Sequence, residues 1–172
     1  MTRVAFCALI AAVALERLLE LAIARRNAAW AFERGGVESG RGHFPLMALL
    51  HAGLLAGAVT EVWVLDRPFL PAVGLGMLVL VIACQALRYW CISSLGRQWN
   101  TRVIVVPGLP RVTNVGPYRW LRHPNYAAVV IEGIALPMVH TAWLTATVFT
   151  ALNAALLAVR LRVEEAALGA AR

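Results

Sequence analysis

Residues 44–92 read FPLMALLHAGLLAGAVTEVWVL, then DRPF, then LPAVGLGMLVLVIACQALRYWCI. Each apolar run is close to the roughly 20 residues that a helix needs to cross a hydrocarbon core. The connection at Asp66-Arg67-Pro68 is short, which predicts an antiparallel helical hairpin. Outward from it, similar runs extend from Val4 to Ala24, from Tyr126 to His140 and from Ala142 to Val159. The run from Tyr126 is the shortest, and Pro137 near its far end predicts a kink or early stop. A tight turn near Thr141 makes the last two runs a second hairpin. The expected fold class is all-α: a polytopic membrane protein with about five transmembrane helices. Residues 1–172 form one membrane domain, with three spans in 1–92 and a loop, hairpin and helix end in 93–172.

Composition agrees. Of 172 residues, 60% are hydrophobic and 15% charged, and the mean hydropathy is +0.71. Soluble domains carry about 45–50% apolar and about 25% charged residues. A core built from this chain cannot hide so much apolar surface from water, so lipid must cover the remainder. A disordered chain, a coiled coil and a disulfide scaffold are excluded. The charge of +7 does not point to nucleic acid, because all 16 basic residues are arginine and they fall between the apolar runs.

The arginines read as topology. Arg25, Arg26, Arg34 and Arg41 lie between spans one and two, and Arg97, Arg102, Arg111, Arg119 and Arg122 between spans three and four. Arg160, Arg162 and Arg172 follow the last span, and only Arg3 and Arg67 fall on the other side. An odd number of spans then puts the amino terminus outside and the carboxyl terminus in the cytoplasm. Arg3 before an apolar run fits a signal peptide, but no small-residue cleavage site follows, so a retained span is expected. Cys7, Cys84 and Cys91 read as apolar packing residues, and no ligand cluster for a metal is present.

The segment Ser93–Asn125 differs in kind. It is long and carries Pro107-Gly108, Pro110, Gly116-Pro117 and Pro124. Loops of this length are functional or disordered, and Trp99, Tyr118 and Trp120 argue against disorder. The β-branched run Val103–Val106, then Pro-Gly, then Arg111-Val112-Thr113 predicts a short hairpin-like excursion. Its densest part is GPYRWLRHPNY, residues 116–126. Pro117 and Pro124 restrict the residues before them, so the polar groups between are aimed. Where the last run ends, RLRVEEAAL at 160–168 places Arg160 four residues before Glu164 and Arg162 three before Glu165, so both can pair along a helix.

Taken together, 116–126 and Arg162-Val163-Glu164-Glu165-x-x-Leu168 resemble the isoprenylcysteine carboxyl methyltransferase family of integral membrane enzymes. The resemblance is strongest from about Leu95 to Leu168. Glu16-Arg17-x-x-Glu20-Leu21, Arg25-Arg26-Asn27 and His43-Phe44-Pro45 look like a bacterial branch, which fits an alanine-rich, lysine-free chain in a bacterial inner membrane. The resemblance implies S-adenosyl-L-methionine as methyl donor, bound at the cytoplasmic face by the carboxyl-terminal half. Tyr118, Arg122, His123, Pro124, Tyr126, Glu164 and Glu165 are then the candidate cofactor residues, and His123, Arg119 and Glu165 the candidate catalytic ones. Where the family often has a glycine after the tyrosine, this chain has Ala127-Ala128, which would tighten a pocket there. No glycine-rich turn after a strand supports a soluble-type nucleotide site.

The residue chemistry suits that donor. Arg119 or Arg122 can hold a carboxylate, Glu164 or Glu165 an amine or ribose hydroxyls, and aromatic faces favour a sulfonium. A carboxylate acceptor needs no base, whereas a hydroxyl benefits from one, for which His123 is the candidate. The implied acceptor is lipophilic: a prenylcysteine-like acid or, in a bacterium, a long-chain polyketide such as an alkylpyrone, reached from the bilayer. The alternatives are N-methylation of an amine headgroup and a non-catalytic lipid-binding scaffold.

Intramembrane charges are a further functional signal. Glu132 can pair with Arg88, line the acceptor route with it as a substrate-binding residue, or sit at the interface. Glu16, Arg17 and Glu20 read as a local ion group, Glu61 as an interfacial residue, and His51 and His140 as packing residues.

Overall fold

The computed structural model describes residues 1–109 and 114–170. Five helices carry it: α1 (Arg3–Phe32), α2 (His43–Val64), α3 (Pro71–Leu95), α4 (Pro124–Met138) and α5 (Trp143–Ala170). Each expected apolar run became a helix. The ends of α1 and α5 overrun the expectation, because nothing in RRNAAWAF (25–32) or LRVEEAALGA (161–170) breaks a helix.

Three segments, Phe44–Val64, Pro71–Gln98 and Trp143–Ala167, are long and apolar enough to cross a membrane. The other two helices fall short of that standard for different reasons. α1 has 30 residues but carries Glu16, Arg17 and Glu20 in its middle. α4 has only 15, about 22 Å of helix. It starts at Pro124, whose missing N–H costs nothing in a first turn, and gives way after Pro137 to a turn in which Thr141 has φ 54°.

α4 is the inner helix of the bundle, in contact with α3 and α5 along its length. Ala128, Val129, Gly133, Ala135 and Leu136 are buried. Two glycines allow this approach. A Cβ on Gly74 of α3 would stand 2.7 Å from the Val139 carbonyl oxygen, and one on Gly133 would overlap the Phe149 ring of α5. Phe6, Ile10 and Val13 of α1 close the core against Val62, Val81, Leu136 and Val139.

Polar contacts mark the two ends of the bundle. At one, Arg3 pairs with Asp66 at 2.6 Å, and the Thr141 hydroxyl donates to the Pro68 carbonyl at 2.7 Å. Here Glu61, read from the sequence as interfacial, is buried at the end of α2. Its carboxylate accepts from the Leu144 and Thr145 amides at 3.1 and 2.7 Å and pairs with Arg67 at 2.9 Å. The orphan amides at the start of α5 supply the reason.

At the other end, strand β1 (Val37–Ser39) pairs antiparallel with β2 (Val103–Val105), Val37 opposite Val105. β2, the outgoing stretch of the expected hairpin-like excursion, takes a partner from the α1–α2 connection. The proposed return at Arg111-Val112-Thr113 lies outside the described residues. The pairing also puts both arginine-rich connections at one end.

The charges of α1 pair locally, as expected, and also reach other helices. Arg17 donates to Glu20 at 2.6 Å but also to Gln85 at 2.9 Å and Glu132 at 3.0 Å. Arg88 grips the Glu20 carboxylate through Nε and Nη2 at 3.0 and 2.9 Å and faces Glu132 at 3.7 Å. Tyr89 donates to Glu16 at 2.8 Å. His140 is buried between the rings of Phe6 and Phe69, at 5.4 and 5.9 Å.

Gly133→Ala tests the α4–α5 approach. Overpacking of this kind costs about 1–3 kcal/mol, so the denaturation midpoint in detergent should fall; an unchanged midpoint would mean that the Phe149 ring swings aside freely.

Candidate functional site

A cavity of about 500 Å³ opens at the β1–β2 end of the bundle, where α3 ends and α4 begins. Its polar wall comes from the start of α4 and the end of α5. Gly116 has φ +51°, and a Cβ there would meet Ser94 and the Trp90 indole nitrogen at 3.0 Å, so both shape and conformation demand glycine. The chain then makes a single 3₁₀ turn, Gly116–Arg119, with Pro117 buried, and reaches His123 (φ −135°, ψ 62°) before Pro124 starts α4.

The His123 ring stacks on Tyr126, with centroids 5.2 Å apart and planes 9° from parallel. The Tyr126 hydroxyl donates to the Glu164 carboxylate and accepts from Arg160 Nε at 2.8 Å. His123 Nδ1 lies 3.8 Å from Glu164. Arg160 and Glu164 therefore meet through a phenol of α4 rather than pairing directly along α5. Arg122 and Asn125 complete this wall, and the Asn125 Oδ1 is buried without a hydrogen-bond partner among the described residues.

The opposite wall is built by α1 and the turn after α3. Asn27 donates to the carbonyls of Gly96 and Trp99 at 3.1 and 2.7 Å, and Asn100 returns a bond to the Ala24 carbonyl at 3.2 Å. Trp30 and Ala31 of α1 face the cavity beside buried Trp99. β2 with Val106 adds an aliphatic side, steadied by Arg102, which lies 3.6 Å from Glu38 and stacks over Phe44.

Of the residues singled out from sequence, Tyr118, Arg122, His123, Tyr126 and Glu164 line this cavity. Pro124 is buried and sets the helix start, without lining it. Arg119 is exposed and lies over the Trp120 ring at 4.5 Å, and Glu165 is exposed on α5; neither lines the cavity. Arg88 and Glu132 belong to the ion group deeper in the bundle. Ala127 and Ala128 are not lining residues, and Ala128 is fully buried in the α4 packing. Sequence reasoning assigned no site role to Asn27, Trp30, Asn100, Arg102, Asn125 and Arg160. Asn125 lay inside the quoted motif, and an asparagine within an Arg-rich helix end was the available signal for Asn27.

Tyr118 sits where the 3₁₀ turn meets α3. Its burial, reinforced by Cys91 and Glu164 nearby, pushes the phenol well above the usual tyrosine range.

A model described as the isoprenylcysteine carboxyl methyltransferase family matches residues 77–170. The uncharacterized protein YpbQ of Bacillus subtilis is 37% identical over 164 residues, covering 95% of this chain and 96% of that one. An uncharacterized protein of Haemophilus influenzae is 26% identical over 153 residues, 88% of each. No solved structure matches the chain.

A phenol whose folded pKa is raised contributes stability that is intact below its unfolded pKa, about 10, and is lost as pH rises above it. Stability should therefore fall from about pH 10 upward in part through Tyr118, and Tyr118→Phe should flatten that alkaline limb. An equally steep fall in the variant would assign the loss to other groups.

Proposed function

The chain belongs to the isoprenylcysteine carboxyl methyltransferase family, and on that premise we propose that it moves a methyl group from S-adenosylmethionine to an oxygen of a lipophilic acceptor drawn from the bilayer. The observation that carries this reading is the cavity: it joins a charged, hydrogen-bonding wall to an aromatic and aliphatic one at one end of an apolar bundle.

The residues present fit the donor. Its α-carboxylate suits the guanidinium of Arg122. Its amine suits Glu164 and the unpartnered Asn125 Oδ1, and its adenine suits Trp30, Trp99 and the β2 side chains. When bound, S-adenosylmethionine supplies an electrophilic methyl on a sulfonium. The protein's part is alignment and exclusion of water, which such an in-line displacement rewards. For a hydroxyl acceptor, the His123 imidazole takes the proton and Glu164, 3.8 Å from Nδ1, steadies the resulting cation. For a carboxylate acceptor no proton moves.

Charge favours oxygen over nitrogen. Arg97, Arg102, Arg122 and Arg160 line the cavity with one lining carboxylate, Glu164, and Glu38 lies behind Arg102 at 3.6 Å. An amine gains positive charge on methylation and would do so among four guanidiniums, whereas an anionic oxygen is drawn to them. A prenylcysteine-like acid or an acidic long-chain polyketide meets this demand. We place the arginine-rich end in the cytoplasm of a bacterial inner membrane, with the amino terminus outside and all five helices, α1 and α4 included, embedded in the bilayer.

Detergent-solubilised protein should give saturable heat with S-adenosylmethionine and should label a component of host lipid extract from methyl-labelled donor. No binding at millimolar donor would turn the reading toward a lipid-binding scaffold. His123→Ala should lower transfer to a hydroxyl acceptor by about 10²–10⁴-fold and leave transfer to a carboxylate nearly unchanged; undiminished transfer to a hydroxyl would remove His123 as the base.

A further inference from the structure

α1 changes character halfway along. Its outer half packs through Phe6, Ile10 and Val13 into the apolar core. From Glu16 onward it meets α3 and α4 through long polar bridges: Arg17 to Gln85 and Glu132, Glu20 to Arg88, and Glu16 to Tyr89. Glu20, Arg88 and Glu132 are all buried, so the Arg17–Glu132 and Glu20–Arg88 bridges are held by charge where apolar side chains would otherwise fill the space. The same helix, about 15 Å further along from Arg17 at 1.5 Å per residue, carries Asn27 and Trp30 to the cavity wall. Asn27 there holds the 96–99 turn by two hydrogen bonds.

We propose that Arg17, Glu20, Arg88 and Glu132 are positioning residues for the cavity: the ion group fixes the distance of the inner half of α1 from α3 and α4, and thereby the placement of Asn27, Trp30 and the 96–100 turn. The group lies outside the cavity lining, so it acts through the helices that carry it, and Asn27 and Trp30 are the lining residues that α1 contributes with Ala31. The geometry supports this role because Arg17 reaches three partners on three helices at once: Glu20 on its own helix, Gln85 on α3 and Glu132 on α4. A fork of that reach is specific to guanidinium, since an ammonium is a point charge on a shorter contact set. The consequence for donor affinity rests on the proposed function; the consequence for the turn does not.

Arg17→Lys keeps the charge and the fold while losing the fork, and Glu20→Gln keeps the shape while losing the grip on Arg88. Hydrogen exchange of the amides at 96–105 is measured on the whole protein in detergent, beside thermal midpoint and S-adenosylmethionine titration, with Leu18→Ala on the exposed face as control. Arg17→Lys should exchange about tenfold faster over 96–105 and bind the donor about tenfold more weakly, with the acceptor KM unmoved. A merely structural role would lower the midpoint and leave local exchange in the folded protein as in the wild type; that result overturns the proposal. Faster exchange with unchanged donor affinity overturns it as well. If the wild type itself binds no donor, the methyltransferase reading fails, and exchange at 96–105 still decides whether the ion group places the wall.

Discussion

The site hangs on one oxygen atom. The Tyr126 hydroxyl uses both of its hydrogen-bonding roles, giving its proton to Glu164 and accepting from Arg160, and so ties the first turn of α4 to the last turns of α5. Without it the two charges of α5 would sit four residues apart with every reason to fold onto each other. With it both are held by one phenol, whose ring also stacks on His123. A phenol can do this where a carboxylate or amine cannot, because it is donor and acceptor at once without adding charge. In surroundings poorer in water than bulk, such a chain of bonds polarises along its length.

The same economy governs the deeper charges. A charged side chain inside a hydrocarbon layer is costly unless it is paired and faces the bundle interior. Arg17, Glu20, Arg88 and Glu132 answer both requirements, with every guanidinium facing a carboxylate. The bundle is thus graded along its axis. From the apolar contacts of Phe6, Ile10 and Val13 it passes to a layer of two arginines and two glutamates, and then to the arginine-lined cavity.

Hydropathy and turn residues made the helices legible, because twenty apolar residues in a row have few other solutions. The motif at 116–126 was legible as a candidate because two prolines and a glycine fix the backbone between clustered polar groups, several of which line the cavity. The β1–β2 pairing was not: three residues on each strand carry no periodicity, and their partnership depends on two distant connections meeting. Nor was the role of Glu61, since a carboxylate beside a turn looks interfacial until α5 is known to start beneath it. Asn27 and Trp30 escaped for a similar reason. Beside Arg25 and Arg26 they read as a helix leaving the membrane, and only the third dimension turns that face toward the 96–100 turn.

The family match at 77–170 takes in the motif, α4 and α5, yet those residues alone do not enclose the cavity. Asn27, Trp30 and Ala31 stand outside that range, and β2 finds its only pairing partner, among the described residues, in β1 at 37–39. Two three-residue strands do not hold themselves together in water, so the aliphatic wall stands because α1 and α5 support it. The relative from Bacillus subtilis matches across α1 and the connection to α2 as well, over 95% of the chain. The unit that makes the cavity is therefore the whole bundle. The carboxyl-terminal half supplies its charged wall, and the amino-terminal half supplies Asn27, Trp30 and Ala31 across from it.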